Sequence, residues 1–502
     1  MIGPYRWSLS SNTSVGQLRE FSGAIVRQDA HPEAAVQPGQ WLLVPFPGRT
    51  GEVTNLHSRP FESLKKRRPL GVSHNLDRRT EPVGANARRS MSIGWVVVVS
   101  LIAGVVVALV LVGFVFAGGE EHLITGSVMI AFGLGWALLA ILSVRLTDQP
   151  QRWAAVPAAY MMVVGVGLLI FAPGVDALNL LGWVWPPVLL ALAVWMIFQA
   201  RTHLHTRTGS WLLYPVLGVL ALAAVGGGYA TIRNALKSEG TQLPGRLVDV
   251  GGHRLYVNCT GSGSPTVVLQ AGLGESSAYW ERIVLGVAAD TQVCAYDRAG
   301  RGQSESASGP QDGDEIAADV HALLEGAQAD GPFVFVGHSS GGVYIRVFAS
   351  KYPDEVAGMV LLDAQPVEAF TRLPNYPGFY RTYKPLYGLL QLLARLGLGD
   401  VALARSVRDE FIALPTALEQ GAALTGLGDR PLVVVSAGSG TQPGWQPLQE
   451  EMATLSTNSV QRVLADATHT SLISDETHAA FSTQAILDVV ESVRTGTPLA
   501  NP

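Results

Sequence analysis

Residues 333–342 read FVFVGHSSGG, in which four apolar residues lead directly into the pattern G-x-S-x-G. The apolar run predicts a buried strand, and Val343–Tyr352 after it predicts a helix. A serine between such elements, here Ser339, lies on a sharp turn that exposes its hydroxyl above the sheet. Gly337 and Gly341 suit this turn because it leaves no room for a Cβ atom. An incidental serine in a glycine-rich turn would show the same letters, so the context must decide.

The surrounding residues predict a sheet with helices on both faces. Short β-rich runs bounded by Gly, Pro and Asp alternate with helical stretches, which is typical of a mostly parallel sheet. An opening hairpin and six further strands are predicted at Leu247–Val250, Arg254–Cys259, Thr266–Gln270, Gln292–Tyr296, Phe333–Val336, Met359–Leu362, Leu432–Ser436 and Val460–Leu464. We therefore predict an α/β fold with about eight strands, in one domain over residues 243–502.

Five stretches in this region together resemble the α/β-hydrolase superfamily, in its esterase and lipase branch. They are TVVLQAGLG at 266–274, YDRAGRGQS at 296–304, the turn at 337–342, VLLDA at 360–364 and ATH at 467–469. The resemblance covers about half of the chain. It implies the α/β-hydrolase fold with a helical cap inserted at residues 364–430, and a serine hydrolase that needs no cofactor.

The resemblance also implies a catalytic triad in the chain order Ser, acid, His. Ser339 is the predicted nucleophile, and a hydroxyl needs an imidazole base held by a carboxylate. His469 follows the last predicted strand and is the predicted base. His478 falls in a predicted helix, Asp475–Phe481, and is expected at the surface.

The position of the acid departs from the commonest pattern of the superfamily. Many members carry it after the strand Leu432–Ser436, but the loop there has no carboxylate before Glu450. A subset of the superfamily places the acid one strand earlier, where Asp363 stands. We predict Asp363 as the acid, with Glu450 and Asp466 as alternatives, and a simple turn-capping role for Asp363 stays open.

Two backbone N–H groups are predicted to form the oxyanion hole. One belongs to Ser340, directly after the nucleophile, and the other to Leu273, in the loop after the third strand. Asp297 and Arg298 are predicted to build a turn after the fourth strand, with no direct part in the chemistry. A serine at the elbow disfavours haloalkane dehalogenase and epoxide hydrolase chemistry.

Upstream of this domain, residues 91–232 contain apolar runs long enough to cross a bilayer, which takes about 20 residues of helix. Five spans are predicted at Ile93–Ala117, Leu123–Val144, Ala154–Ala172, Leu180–Phe198 and Trp211–Ile232. The loops after the second and fourth spans carry arginines, and the alternate loops carry only acids. The arginine loops are therefore expected in the cytoplasm. This predicts a multi-pass cell-membrane protein whose hydrolase domain faces the extracytoplasmic side.

Charge is distributed unevenly along the 502 residues: the net charge is +6 for residues 1–90, 0 for 91–231 and −11 for 232–502. Residues 1–90 show no sustained apolar period, and we predict a disordered basic tail. An alternative is that translation starts at Met91, so that this tail is not made. The acidic C-terminal region offers no basic stripe for nucleic acid.

Cysteine and histidine patterns give no sign of a metal site. Two cysteines are too few for a four-thiolate zinc site, and neither H-E-x-x-H nor C-x-x-C occurs. The family's strand order makes the strands of Cys259 and Cys294 neighbours. Both a disulfide and two buried free thiols are compatible with that placement on the exported side of a membrane.

These observations predict a membrane-anchored serine hydrolase that cleaves a carboxylic ester through an acyl-enzyme on Ser339. The expected partners are a small-molecule or lipid ester and the lipid bilayer, and no oligomeric state is predicted. A peptidase, thioesterase or acyltransferase would use the same triad. A non-catalytic membrane sensor or transporter-like protein with a hydrolase-fold binding domain is the alternative outside enzymes.

Overall fold

The computed structural model describes residues 91–204, 207–237, 244–309 and 311–500. The predicted tail at residues 1–90 lies outside these residues. The first part of the described chain is entirely helical, and the part after residue 246 is an α/β sheet structure.

Apolar helices form the N-terminal part of the described chain. Their bounds are α1 Ile93–Val110, extended by a π-helical turn at Leu111–Val115, α2 Glu121–Leu146, α3 Ala155–Phe171, α4 Val175–Leu181, α5 Trp185–His203 and α6 Arg207–Lys237. Four helical segments are long and apolar enough to cross a membrane, and α4 with α5, bent by 42°, would make a fifth. The prediction of an all-helical N-terminal region with four to five long apolar segments is therefore confirmed.

The fourth predicted span, Leu180–Phe198, has the wrong start. The helical path breaks after Leu181, and α5 begins at Trp185 with prolines in its first turn. Proline has no backbone N–H, which the first turn of a helix does not need but the middle of a helix does. The continuous apolar run in the sequence therefore contains the end of one helix and most of a second one.

Helices α2 and α3 approach each other through glycines. A Cβ atom on Gly165 would lie 2.7 Å from the carbonyl oxygen of Gly126. Small residues permit this spacing, which is typical of helices that pack within a membrane. Large apolar side chains such as Phe114 and Phe171 point outward instead, each more than 80% exposed. Such an exterior matches lipid rather than water.

The C-terminal part is built on one eight-stranded sheet among the described residues. The strands are β1 Arg246–Asp249, β2 Arg254–Thr260, β3 Val267–Gln270, β4 Val293–Tyr296, β5 Phe333–His338, β6 Val356–Leu362, β7 Leu432–Ala437 and β8 Ser459–Leu464. Their order is β1-β2-β4-β3-β5-β6-β7-β8. Strand β2 pairs in antiparallel orientation with both β1 and β4. All the other neighbouring strands of the sheet are parallel. The predicted fold class is confirmed.

Helices cover both faces of the sheet. They are α7 Glu281–Val287, α8 Gly313–Gly326, α9 Gly341–Lys351, α10 Ala369–Arg372, α11 Tyr376–Leu393, α12 Val401–Gly421, α13 Trp445–Ala453, α14 Ser471–Ser474 and α15 Glu476–Thr495. Neighbouring strand residues alternate between two apolar cores: Val268 packs with the α8 and α9 side, and Val267 and Leu269 with the α7 and α15 side. This alternation is the period of two expected for a strand buried on both faces.

Between β6 and β7 lies a helical insertion, and we call residues 364–430 the cap. It contains α10, α11, a π-helical turn at Ala394–Leu398, and α12. Its core is aromatic: the ring of buried Phe411 lies 4.2 Å from that of Tyr387 and 5.0 Å from that of Tyr380. The tyrosine-rich stretch of α11 thus largely stabilises the cap itself.

Cys259 and Cys294 form a disulfide between β2 and β4. The two residues stand directly opposite each other in the antiparallel register. Cys259 is exposed and Cys294 buried, so the alternative of two buried thiols is wrong.

Loss of this bridge should lower the stability of the domain. Because it closes a loop across a separation of 35 residues, replacing both cysteines by serine should cost about 3–4 kcal/mol of unfolding free energy. Chemical denaturation of the detergent-solubilised protein measures this. Maleimide labelling of the denatured wild type should find no free thiol before reduction and two afterwards, and two thiols without reductant would contradict the bridge.

Candidate active site

Ser339 occupies the turn between β5 and α9. Its φ of +55° is in the left-handed region, which side-chain-bearing residues rarely adopt. A Cβ atom on Gly337 would lie 2.7 Å from the nitrogen of Gly342, and one on Gly341 would lie 2.2 Å from the carbonyl oxygen of Gln270. Both positions therefore need glycine. The turn leaves Ser339 half-buried between two buried neighbours.

Asp363 lies in the turn directly after β6 and is 2% exposed. Its Oδ2 is 2.6 Å from Nδ1 of His469. Its Oδ1 accepts hydrogen bonds from the indole nitrogen of Trp445 at 2.8 Å and from the N–H of Ala437 at 3.2 Å. Burial by itself would raise the pKa of Asp363, but these donors together lower it. The group is therefore a carboxylate that points at His469.

The structure brings His469 to Asp363 and leaves the alternative acids elsewhere. Glu450 is exposed on α13, and Asp466 is exposed and lies 3.6 Å from His478. Neither forms an ion pair or hydrogen bond with His469 in the described chain. His478, expected at the surface, is instead half-buried with Nδ1 2.9 Å from the hydroxyl of Ser471. The surface prediction for His478 is wrong because α15 packs that side against α14.

One ring nitrogen of His469 is free to accept a proton from another group. Nδ1 is held by Asp363, so Nε2 is the nitrogen left to act as a base. Burial lowers the pKa of His469 to about 4, against the opposing effect of the hydrogen bond with Asp363. Its ring lies 4.6 Å from that of His338, the residue before Ser339. The imidazole and the elbow serine therefore share one end of the sheet.

The loop after β3 lies directly against Ser339. We call residues 271–275 the oxyanion loop, after the role predicted for Leu273. A Cβ atom on Gly272 would lie 2.9 Å from the Cβ of Ser339. Within the described residues, neither the Leu273 nor the Ser340 N–H donates a hydrogen bond. Both N–H groups therefore lack a protein acceptor in the described part of the chain, which the prediction of two oxyanion-hole donors requires.

Comparisons with known proteins support the fold of the C-terminal domain. Residues 265–393 match the family model described as alpha/beta hydrolase fold. The C-terminal domain has the α/β-hydrolase fold. Over 206 residues the chain is 28% identical to the uncharacterized protein YqjL of Bacillus subtilis, covering 40% of this chain and 74% of YqjL. Over 110 residues it is 37% identical to lipase LipV of Mycobacterium tuberculosis, covering 22% of this chain and 41% of LipV.

A solved structure is similar in fold to the α/β-hydrolase domain. The thermophilic esterase of Thermogutta terrifontis aligns with a TM-score of 0.39 and 20% identity, covering 50% of this chain and all of the esterase. The chain spans less than half the length of LipV.

Arg298 and Asp297 do more than the predicted turn. Arg298 is buried and donates to the carbonyl oxygens of Ala271 and Gly272 at 2.5 and 2.7 Å. Asp297 accepts from the N–H groups of Ser277 and Gln303. The contact with Gln303 belongs to the predicted turn. The prediction is nevertheless incomplete, because Ala271, Gly272 and Ser277 belong to the segment after β3.

A second buried pair escaped sequence analysis. His338 Nδ1 lies 3.0 Å from the carboxylate of Glu275, and Nε2 lies 2.9 Å from the carbonyl oxygen of His469. Both partners accept hydrogen bonds, so both ring nitrogens carry protons. Burial opposes this charge, but Glu275 raises the pKa of His338. Burial would likewise raise the pKa of Glu275, yet His338 and the Gly272 N–H lower it to about 2.

The Glu275–His338 pair joins three parts of the α/β-hydrolase domain. Glu275 belongs to the oxyanion loop, His338 to the elbow, and the accepting carbonyl to the His469 loop. A buried histidine at a strand end could have been suspected from its place inside G-x-S-x-G. Its partner could not, because it lies 63 residues earlier in the chain.

The cap of the α/β-hydrolase domain rests on the apolar helices. Arg395 donates to the two carboxylate oxygens of Glu121, the first residue of α2, at 2.7 and 2.9 Å, and both side chains are about 10% exposed. Arg408 donates to the carbonyl oxygen of Gly118 at 2.9 and 2.7 Å. Gly226 of α6 and Gly397 of the π-helical turn in the cap permit contact between the two backbones. The cap is therefore fixed to the helical region.

A cavity lies between the α/β-hydrolase domain and the ends of α4 and α6. It has a volume of about 1950 Å³, and its lining includes Tyr229, Arg233 and Tyr279 but none of the three residues Ser339, Asp363 and His469. Arg233 donates to the carbonyl oxygen of Gly399. No group of three or more His, Cys, Asp or Glu side chains in the described ranges is arranged to hold a metal ion.

Proposed function

We propose that this protein is a membrane-anchored serine hydrolase that cleaves a carboxylic ester, of a small molecule or a lipid, through an acyl-enzyme on Ser339. The observation that carries the proposal is the 2.6 Å contact between His469 Nδ1 and the buried Asp363 carboxylate, beside the strained Ser339 turn. The α/β-hydrolase fold already implies hydrolytic chemistry, and these residues supply the serine mechanism.

The reaction follows from the roles of these groups. His469 Nε2 takes the hydroxyl proton as Ser339 Oγ attacks the ester carbonyl carbon, and Asp363 stabilises the imidazolium that forms. The carbonyl oxygen becomes an oxyanion that accepts hydrogen bonds from the N–H groups of Leu273 and Ser340. The intermediate collapses, the C–O bond breaks, and His469 returns the proton to the leaving alkoxide. His469 Nε2 then takes a proton from water as the water attacks the acyl carbon. The bond between that carbon and Ser339 Oγ breaks, the acid leaves, and His469 returns the proton to Ser339.

A hydrolysis panel tests the proposal directly. Purified full chain in detergent should hydrolyse p-nitrophenyl butyrate or a long-chain glyceride, and Ser339→Ala should lower kcat by about 10⁵ to 10⁶. The exposed Ser439 in the loop after β7 provides a matched control, since Ser439→Ala should retain activity. Cleavage of a peptide amide alone would favour the peptidase alternative over an esterase, and cleavage of a thioester alone would favour a thioesterase.

The pH profile should show an unusually low acid limb. Protonated His469 cannot accept the serine proton, so activity falls as pH drops through its pKa. With that pKa lowered to about 4, kcat/KM should be half-maximal near pH 4 to 5 and level from pH 6 upward. Recovery of activity after return to pH 7 excludes unfolding as the cause. A midpoint at or above 6.5 would contradict the environment described for His469.

The membrane placement is proposed on the arrangement of the helix ends. Met91 N–H donates to the carbonyl oxygen of Leu146, and Gln151 donates to that of His203, so these segments share one end of the bundle. The cap contacts Gly118 and Glu121 at the other end. Loops with arginines favour the cytoplasm, and a disulfide favours an oxidising compartment. We therefore propose that the α/β-hydrolase domain faces the extracytoplasmic side.

Limited proteolysis of intact cells tests this orientation. Protease added outside should cleave the domain after residue 243, whereas a tag placed before residue 91 should be cleaved only after lysis. Protection of the domain in intact cells would reverse the proposed topology without affecting the chemistry at Ser339.

A further inference from the structure

We infer that Arg298 is a positioning residue that aims the Leu273 N–H at the oxyanion, and that Glu410 of the cap holds Arg298 in place. The inference rests on the proposed serine-hydrolase function and adds to it: the oxyanion hole is complete only with the cap in position. Arg298 itself touches no reacting atom.

The geometry of the peptide unit fixes the direction of the Leu273 N–H. A peptide bond is planar and trans, so its C=O and N–H point in opposite directions. The carbonyl oxygen of Gly272 and the N–H of Leu273 belong to one such unit. Arg298 Nη2 donates to that carbonyl oxygen at 2.7 Å. This bond directs the Leu273 N–H away from the guanidinium.

The preceding peptide unit is held at both of its ends. Arg298 Nη1 donates to the carbonyl oxygen of Ala271 at 2.5 Å, and the N–H of Gly272 donates to Glu275 at 2.6 Å. The Ala271–Gly272 unit is thus held by two hydrogen bonds, and the Gly272–Leu273 unit is held through its carbonyl oxygen. The loop therefore has little freedom to rotate about its backbone. The N–H of Leu273 is the first donor left over, directly beyond the glycine that abuts Ser339.

The charge of Arg298 requires a partner inside the protein. Its side chain is 4% exposed, and a buried guanidinium needs a counter-charge. Glu410 supplies it from α12, with its two carboxylate oxygens 2.9 and 3.0 Å from Nε and Nη2. Arg301 Nη2 lies 2.8 Å from the same carboxylate. Burial would raise the pKa of Glu410, but the two arginines lower it.

Arg298 and Glu410 therefore link the cap physically to the oxyanion loop. Glu410 belongs to the cap, which is itself fixed to α2 through Arg395 and Glu121. If the cap moves, Glu410 moves with it, and Arg298 loses its counter-charge. The Gly272–Leu273 unit then loses its charged and shorter anchor and keeps only the 3.2 Å hydrogen bond from the Glu275 N–H to the Gly272 carbonyl oxygen. Displacement of the cap should therefore weaken the oxyanion hole before it affects Ser339 or His469.

The test compares Arg298 with Arg301 in the full chain in detergent. Arg301 is equally buried and shares Glu410, but no hydrogen bond in the described residues joins it to the oxyanion loop. With p-nitrophenyl butyrate, Arg298→Met should lower kcat by about 10²-fold with KM changed less than about threefold. Arg301→Met should change kcat by less than about threefold when the folded fraction is equalised. Arg298→Lys, which keeps one donor and the charge, should recover part of the loss.

A second measurement separates positioning from general damage. An alkyl trifluoromethyl ketone forms a tetrahedral oxyanion on the serine, so its affinity tracks transition-state binding. Its Ki should rise by about the same 10²-fold in Arg298→Met and stay within about threefold in Arg301→Met. If Arg298→Met does not fold, Arg298→Lys and Glu410→Gln give the same comparison, with a smaller expected rise of about tenfold.

Two results would overturn the inference, and they point to different failures. Equal losses in the Arg298 and Arg301 variants, or an unchanged Ki in folded Arg298 variants, would refute positioning by Arg298 while wild-type activity still depends on Ser339. Activity that does not depend on Ser339 would overturn the proposed function and this inference together. Loss confined to Arg298 variants, with partial recovery in Arg298→Lys, is the result expected.

Discussion

Replacement of Asp363 by asparagine is expected to lower kcat by about 10⁴-fold with little change in KM. The local bonding gives the reason. Oδ1 of Asp363 accepts from Trp445 and Ala437, so the amide oxygen of the substituted side chain must take that place and its NH₂ must face His469. Nδ1 then has to accept a hydrogen bond, which leaves the proton on Nε2. A base that already carries its proton cannot take one from Ser339.

Steady-state hydrolysis of p-nitrophenyl butyrate by the full chain measures this loss. Glu450→Gln and Asp466→Asn serve as matched controls, because both carboxylates are exposed and make no hydrogen bond or ion pair with His469 in the described chain. Each should stay within about twofold of the wild type. Full activity in Asp363→Asn, or a comparable loss in Glu450→Gln, would refute Asp363 as the acid.

Removal of the imidazole should have a larger effect still. His469→Ala is expected to lower kcat by about 10⁵ to 10⁶, because no other residue then accepts the serine proton. His338 cannot replace it, since both of its ring nitrogens donate to Glu275 and to a backbone carbonyl. Single-turnover acylation with the same ester isolates the step that should fail.

His478→Ala is the control for this substitution. His478 lies close in sequence but contacts Ser471 and lies 3.6 Å from Asp466, away from Asp363. Its replacement should change kcat by less than about threefold. A drop shared equally by the two histidine variants would show that the loss reflects the folding of this loop and not base catalysis.

Local signals in the sequence predicted most of the sheet and the elbow. The short apolar runs bounded by turn residues predicted the strands, with errors of a few residues at their ends. Strand β6, for example, begins at Val356 and not at Met359. The turn at Ser339 was predictable because its glycines are required by contacts within a few residues and with the neighbouring strand.

Interactions between distant segments were not predictable in the same way. Arg298 finds its counter-charge on Glu410, 112 residues later and inside the cap. His338 finds Glu275 in the loop after β3, and no periodicity connects the two. Such partners are set by how loops meet at one end of the sheet, which residue spacing does not encode. The break before α5 was missed for another reason. Hydropathy measures the polarity of a run of residues and does not show whether the helix through that run is continuous.

The most direct test of the account is covalent labelling of the nucleophile. Membranes containing the full chain are treated with a fluorophosphonate probe, digested and analysed by mass spectrometry. We predict one adduct, on the peptide that carries Ser339, and no adduct in Ser339→Ala. The absence of an adduct on the folded wild type, while other serine hydrolases in the same membranes are labelled, would contradict the central claim, as would an adduct that persists in Ser339→Ala.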